Sequence, residues 1–318
     1  MSGKLLDRKT YRPLLLGLGY YRLTATIMKE NLEELLHRIK NWMPNLEVEQ
    51  IEINQEGLVN DVVIVNQELV FRFAKNENSA RLLSQEIKIL NFLQSKLDIE
   101  IPNPIDYDQE SVVYHYLKGK PLLRETIINQ DQETQMVLAN QIGNILNQLH
   151  KIDLTGINWG IPSTQAAVTR ERWIELQSKV EQHLYPLFLP HQIQWAEGLF
   201  EGILCDTVTS EYHAVLIHGD LAPYHILYDG QKKRVTGVLD FGVSGLGDPA
   251  LDIGNLISSY GESFVSKAQN TYPEIDTYLP RARFYAQSVE LEWVLNGLES
   301  GEKFWFTAHL GGARDLQG

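Results

Sequence analysis

The sequence is poor in cysteine, in positive charge and in long apolar runs. Cys205 is the one cysteine among 318 residues, so no intrachain disulfide forms and an oxidising compartment is not called for. The same scarcity excludes zinc-ribbon and iron–sulfur sites. Lys and Arg number 28 against 41 Asp and Glu, a formal net charge of −13. A field of that sign disfavours phosphate backbones and anionic lipid. Neither nucleic acid nor a membrane is therefore an expected partner. The charge suits plain solubility and a cationic small molecule alike. The expected location is the cytoplasm.

What is present is ordinary for a globular protein: 43% apolar and 22% charged residues. The length corresponds to roughly two domains, or two lobes, and buries a sizeable core without staples. Lys4, Arg8, Lys9 and Arg12 precede a short apolar run, Leu14-Leu15-Leu16-Gly17-Leu18. That loosely imitates a secretory leader, but the run falls short of the ~20 residues a bilayer span needs. No small-residue cleavage site stands out. Residues 1–27 are expected to be an extension outside the fold, with Met28 as the natural start.

From Asn31 the periodicity is regular. Leu32, Leu35, Leu36, Ile39 and Trp42 recur at helical spacing. Strand-like runs follow at 48–53, 58–65 and 68–73, the last two joined at Asn66-Gln67. A helix is expected over 79–95, Pro102 and Pro104 interrupt the chain, and a strand is expected over 111–117. Lys118-Gly119-Lys120-Pro121 reads as a hinge or turn. Helices are then expected around Leu138–Leu149, over 170–187 and over 192–207. A β island at 214–217, 226–228 and 235–239 precedes further helix from Asp252 to the end. This order predicts an α+β protein of two lobes.

The β island carries the chemistry. His218-Gly219-Asp220 leaves an apolar strand, His225 stands five residues after Asp220, and Asp240-Phe241-Gly242 closes the next strand. Gly247-Asp248-Pro249 and Asp252 follow. Two strand ends and a loop would bring three polar side chains to one edge of a small sheet. Taken singly, Asp220 reads equally as a turn former or helix cap, Asp240 as a turn residue and His225 as a core histidine. Together they offer what phosphoryl transfer requires: a carboxylate to deprotonate a hydroxyl, and ligands for Mg²⁺ on nucleotide phosphates.

His-Gly-Asp-x-x-x-x-His, Asp-Phe-Gly and Gly-Asp-Pro-x-x-Asp, in this order, resemble the aminoglycoside phosphotransferase family. That family belongs to the protein-kinase-like superfamily and is akin to the macrolide phosphotransferases. The resemblance runs over most of the chain from about Met28. It implies a protein-kinase-like two-lobed fold, with a nucleotide-binding lobe over 28–117 and a catalytic and acceptor-binding lobe over 118–318. It implies Asp220 as catalytic base, Asp240 and His225 as metal ligands, and His218 and Asp252 as supports of the catalytic loop. His225 departs from the usual Asn, and its nitrogen suits Mg²⁺ less well than an oxygen.

In the first lobe, alternation places Val70, Arg72 and Ala74 on one face of a strand and Phe71, Phe73 and Lys75 on the other. By the parity of kinase-like folds, Arg72 is the expected phosphate contact in place of the usual Lys, and a surface strand cation is the alternative. Glu86 sits in the apolar stripe of Leu82, Leu83, Ile89, Leu90 and Leu93, so it needs a partner. Arg72 is the nearest candidate. The stretch 55–61 supplies only Gly57 as a phosphate loop. Tyr114 resembles a bulky gatekeeper, and Tyr114 to Leu117, including Tyr116, are expected to meet the base of ATP or GTP.

Late in the chain, Glu290, Glu292 and Trp293 would suit a cationic sugar or macrolide acceptor. They fit a solvated acidic helix face with a core Trp equally well. A kinase of a primary-metabolite alcohol and a nucleotide-binding module without turnover remain rival readings. A protein acceptor is disfavoured, because no Ala-Pro-Glu follows Asp-Phe-Gly. Nothing in the sequence assigns an oligomeric state.

Overall fold

The computed structural model describes residues 25–54, 59–157, 160–164, 166, 168–205 and 211–300, with side chains from residue 32 to 299. The leader-like segment, the Gly57 loop and residues 301–318 lie outside the described residues. The described residues fall into two compact units. One lies within Met1–Asn91 and Pro102–Leu117, the other within Phe92–Ile101 and Lys118–Gly318.

The first unit begins with α1 (Ala25–Trp42), so residue 28 falls inside this helix and not at its start. Strands β1 (Ile51–Asn54), β2 (Asn60–Val65) and β3 (Leu69–Ala74) follow, then α2 (Glu77–Leu93), β4 (Pro104–Tyr107) and β5 (Ser111–His115). The strands form one antiparallel sheet in the order β1-β2-β3-β5-β4. Asn66 and Gln67 both take left-handed φ values, 55° and 53°, as a tight hairpin between twisted strands requires. The period-2 reading of β3 is realised. Phe71 and Phe73 pack with Leu35 and Ile39 of α1, whereas Val70 packs with Leu83 and Ile87 of α2. Strand β3 is thus buried on both faces. Strand β4 is an addition to the sequence reading, in which the prolines marked a break. Pro104 opens an edge strand, where a missing N–H breaks no ladder.

In the second unit the expected hinge contributes a short strand, β6 (Lys120–Pro121). Helices α3 (Arg124–Ile128), α4 (Gln132–His150), α5 (Arg170–His183) and α6 (Pro190–Leu204) follow. Asp131 caps α4 by accepting from the Thr134 amide at 2.7 Å, and Leu138, Ile142, Ile145 and Leu149 are buried as their spacing predicts. The helix expected over 170–187 ends at His183 and turns once more as a 3₁₀ segment containing Pro186.

The β island is divided between two sheets. β7 (Val215–Ile217) pairs with β10 (Gly245–Gly247), while β8 (Ile226–Asp229) lies between β6 and β9 (Arg234–Val238). The single small sheet expected from the sequence is therefore replaced by two. β10 escapes a sequence reading because Gly-Leu-Gly has no strand propensity. Gly245 is needed there, since a Cβ would lie 2.5 Å from the Pro162 carbonyl oxygen. Helices α7 (Pro249–Tyr260), α8 (Glu262–Val265) and α9 (Ile275–Ser300) complete the unit. α7 is buried along nearly its whole length, packed chiefly on α9. Among the described residues no helix is long and apolar enough to cross a membrane.

Candidate active site

The chain leaves β7 at Ile217 and makes a loop whose backbone is held at every turn. Gly219 takes φ +86°, and an added Cβ would meet the Val243 carbonyl oxygen at 3.1 Å, so only glycine fits without strain. The amides of His218 and Gly219 donate to the two carboxylate oxygens of Asp252, each at 2.8 Å. Asp252 is fully buried. Burial works against its charge, but the hydrogen bond from His150, with further help from the Gly219 amide, holds the carboxyl below its ordinary range. The Ser244 hydroxyl donates to the His218 backbone carbonyl at 2.8 Å.

The His218 ring is fixed in one tautomer. Nε2 lies 2.9 Å from the Leu239 carbonyl, an acceptor only, so Nε2 carries the hydrogen. Nδ1 then accepts from the Asp220 amide at 3.3 Å. Burial pushes the His218 pKa down, which keeps this neutral form. Asp220 is thereby held by its backbone, and its side chain is 42% exposed.

His225 ends the following 3₁₀ turn. Its Nδ1–H donates to the Asp220 carbonyl at 2.7 Å, which leaves Nε2 with its lone pair. Nε2 lies 3.5 Å from Asp240 Oδ2, close enough for the two atoms to ligate one cation together. Asp240 has φ +62°, a left-handed conformation for a non-glycine residue, and strain of this kind concentrates at functional positions. A nitrogen and a carboxylate fit a divalent cation that keeps waters and nucleotide phosphates as its other ligands. Among the described residues no group of three or more His, Cys, Asp or Glu forms a closed metal cage. Tyr224 packs edge-on to His225 at 4.5 Å. Burial, then the charges of Asp220 and Asp240, raises its phenol pKa, so Tyr224 keeps its proton.

In the first unit Arg72 Nη1 and Glu86 Oε1 meet at 2.6 Å, with side chains 9% and 2% exposed. The carboxylate in the apolar stripe of α2 thus has the partner its position demanded. Val70 and Tyr114 stand opposite one another in the β3–β5 ladder and share the α2-side cluster, against which Tyr116 packs. The Tyr116 amide donates to the Glu68 carbonyl at 2.8 Å. Lys75, on the opposite parity, pairs with Asp61 at 3.6 Å.

Glu290, Glu292 and Trp293 lie on α9. Glu290 is 8% exposed and Trp293 is partly exposed, so neither sits on a freely solvated face. Burial pushes the Glu292 carboxyl from its ordinary 4.5 up to about 7, although the residue as a whole keeps partial exposure. A carboxyl raised on folding favours the folded state most below the unfolded pKa and loses that advantage as pH rises through about 7. Glu292→Gln should therefore stabilise the protein at pH 8 by about 2 kcal/mol, allowing for the partial exposure, and leave it unchanged at pH 4. Denaturant melts at both pH values check this; equal effects at the two would refute it.

The sequence reading did not find His150, Tyr272, Ser244 or Arg281. His150 is the last residue of α4, and its Nε2 lies 3.0 Å from Asp252 Oδ2. Arg281, inside α9, makes a two-bond ion pair with Asp248 at 2.6 and 3.0 Å. Only a pairing across 33 residues or more could have flagged either.

Comparison with known proteins bears on the whole arrangement. The solved structure of the GDP and kanamycin complex of APH(2")-IIia is 25% identical, covers 87% of this chain and 96% of its own, and superposes with a TM-score of 0.78. Macrolide 2'-phosphotransferase MphH from Brachybacterium faecium shares the fold at 23% identity, over 88% of this chain and 96% of its own, with a TM-score of 0.64. These matches identify the architecture as protein-kinase-like. Protein YcbJ of Bacillus subtilis (strain 168) is 24% identical over 77% of this chain and 82% of its own length. Viomycin phosphotransferase of Streptomyces vinaceus is 26% identical over 67% and 74%. The model of the phosphotransferase enzyme family matches residues 50–285, a span that takes in Arg72, Glu86 and the loop from His218 to Asp252 and stops short of Glu290 and Trp293. Sharing that family's sequence pattern across both compact units, the chain belongs to the phosphotransferase enzyme family.

Proposed function

We propose that the protein moves the γ-phosphoryl group of ATP or GTP to a hydroxyl of a small molecule, of aminoglycoside type or a similar antibiotic. The observation that carries this reading is the Asp220 loop: a half-exposed carboxylate on a rigid backbone, beside a His225–Asp240 pair 3.5 Å apart. The kanamycin complex among the structural relatives and the viomycin enzyme among the sequence relatives support such an acceptor. The net charge of −13 favours a cationic one.

In this mechanism Asp220 accepts the hydrogen bond of the acceptor hydroxyl and takes its proton as the new O–P bond forms. The bond from the γ-phosphorus to the bridging oxygen breaks, and the nucleoside diphosphate leaves. Arg72, oriented by Glu86, contacts the nucleotide phosphates. Val70, Tyr114 and Tyr116 flank the base. His225 Nε2 and Asp240 would hold Mg²⁺, which supplies positive charge at the phosphates. On this reading residues 28–117 serve as nucleotide-binding lobe and 118–318 as catalytic and acceptor lobe, in a cytoplasmic enzyme.

The test is a phosphate-transfer screen over aminoglycosides, peptide antibiotics, macrolides and metabolite alcohols, with Mg–ATP and Mg–GTP. A nucleotide-dependent thermal shift is measured alongside. Transfer to a cationic antibiotic is the expected result. Transfer only to a metabolite alcohol would replace the acceptor class, and nucleotide binding without any transfer would refute the enzyme reading.

A further inference from the structure

We propose that Tyr272 is a positioning residue for the catalytic loop, acting through His150 and Asp252. The inference rests on the phosphotransferase reading above. Three distant parts of the chain meet here: the last residue of α4, the turn before α9 and the first turn of α7. Tyr272 Oη lies 2.6 Å from His150 Nδ1, and His150 Nε2 lies 3.0 Å from Asp252 Oδ2. Asp252 in turn receives the amides of His218 and Gly219, the two residues that lead into Asp220. Exposure along the row is 1%, 6% and 0%, so no substrate reaches it. Its work is to orient, not to react.

The direction of the hydrogens follows from chemistry. An ionised carboxylate only accepts, so His150 Nε2 carries a hydrogen. In the neutral ring Nδ1 then presents a lone pair, and the Tyr272 hydroxyl supplies the matching donor. Burial, the leading cause, raises the Tyr272 pKa, so the phenol keeps that hydrogen. Without the phenol oxygen the imidazole loses the group that selects its tautomer. The alternative tautomer would set the Nε2 lone pair against the Asp252 carboxylate. Asp252 would then be repelled from the orientation that serves two successive amides, and the Asp220 loop would lose its template. Buried networks of this kind act as a unit, so the members are expected to be non-additive.

The test uses the full-length protein with Tyr272→Phe, which removes one atom, His150→Leu, and the double variant. In Tyr272→Phe, hydrogen exchange at the His218 and Gly219 amides is expected to rise ~10-fold or more. The Leu227 and Tyr228 amides of β8 should stay as they were. kcat should fall by ~10-fold with KM for nucleotide and acceptor little changed, and the unfolding midpoint should hold. In the His150→Leu background Tyr272→Phe should add nothing. Unchanged exchange at both loop amides, or fully additive losses in kcat, would overturn the proposal. The exchange measurement needs only Tyr272→Phe, so it decides the matter even where His150→Leu does not fold. It also separates the two readings. Raised exchange in a protein that transfers phosphate to no acceptor leaves the positioning network standing and removes the enzyme reading.

Discussion

Asp220→Asn should lower phosphoryl transfer ~10³-fold or more, about 4 kcal/mol in the barrier, while nucleotide affinity stays within about twofold. Asparagine keeps the size of the side chain and loses the basic oxygen. The loop should survive the change, because the bonds that hold it use the Asp220 backbone. Its amide donates to His218 and its carbonyl accepts from His225 and from the Ala222 amide. The carboxylate itself comes no nearer to His225 Nδ1 than 3.8 Å. Initial rates with the best acceptor, paired with calorimetric titration of Mg–ATP and Mg–GTP, check both halves. Turnover within tenfold of the parent would remove Asp220 from the base role. A matching loss of nucleotide binding would show that its side chain holds the loop together.

The largest effect on stability is expected at Arg281→Leu, which should cost about 3–5 kcal/mol. Its guanidinium is 6% exposed and Asp248 is fully buried. Burial opposes the Arg281 charge, but hydrogen bonding and attraction from Asp248 outweigh it and raise the pKa. Removing the arginine would strand the Asp248 carboxylate with, among the described residues, the Tyr285 hydroxyl at 3.2 Å and the Ala250 amide at 3.0 Å as donors. A buried charge left so poorly compensated is what makes the single change expensive. Since domains are stable by only about 5–15 kcal/mol, a large share of the total would go. Combining Arg281→Leu with Asp248→Asn should recover much of the loss, because the uncompensated charge is then gone. Denaturant titrations of the two single variants and the pair supply the cycle. A single-variant loss below about 1 kcal/mol would contradict the argument.

Much of this protein was legible residue by residue where the signal is local. Helix periodicity located α1, α2 and α4 because one face of each must be buried. Alternation in β3 separated Phe71 and Phe73 from Val70 and Arg72. The stripe around Glu86 demanded a cation, and Arg72 supplies it at 2.6 Å. His218, Asp220, His225 and Asp240 stood out as a group because strand–loop–strand segments keep such residues close along the chain.

Local pattern by itself determined the α+β class and suggested two parts, and the motif resemblance proposed which groups would serve phosphoryl transfer. The pairings of distant segments were decided only in the tertiary structure. They divided the β island between two sheets, turned the hinge into β6, gave Pro104 an edge position, and joined His150 and Tyr272 to Asp252. The physical reason is range. Periodicity reports which face of one element avoids water, whereas a buried carboxylate or an unpaired strand edge is satisfied by whichever distant segment packing brings to it.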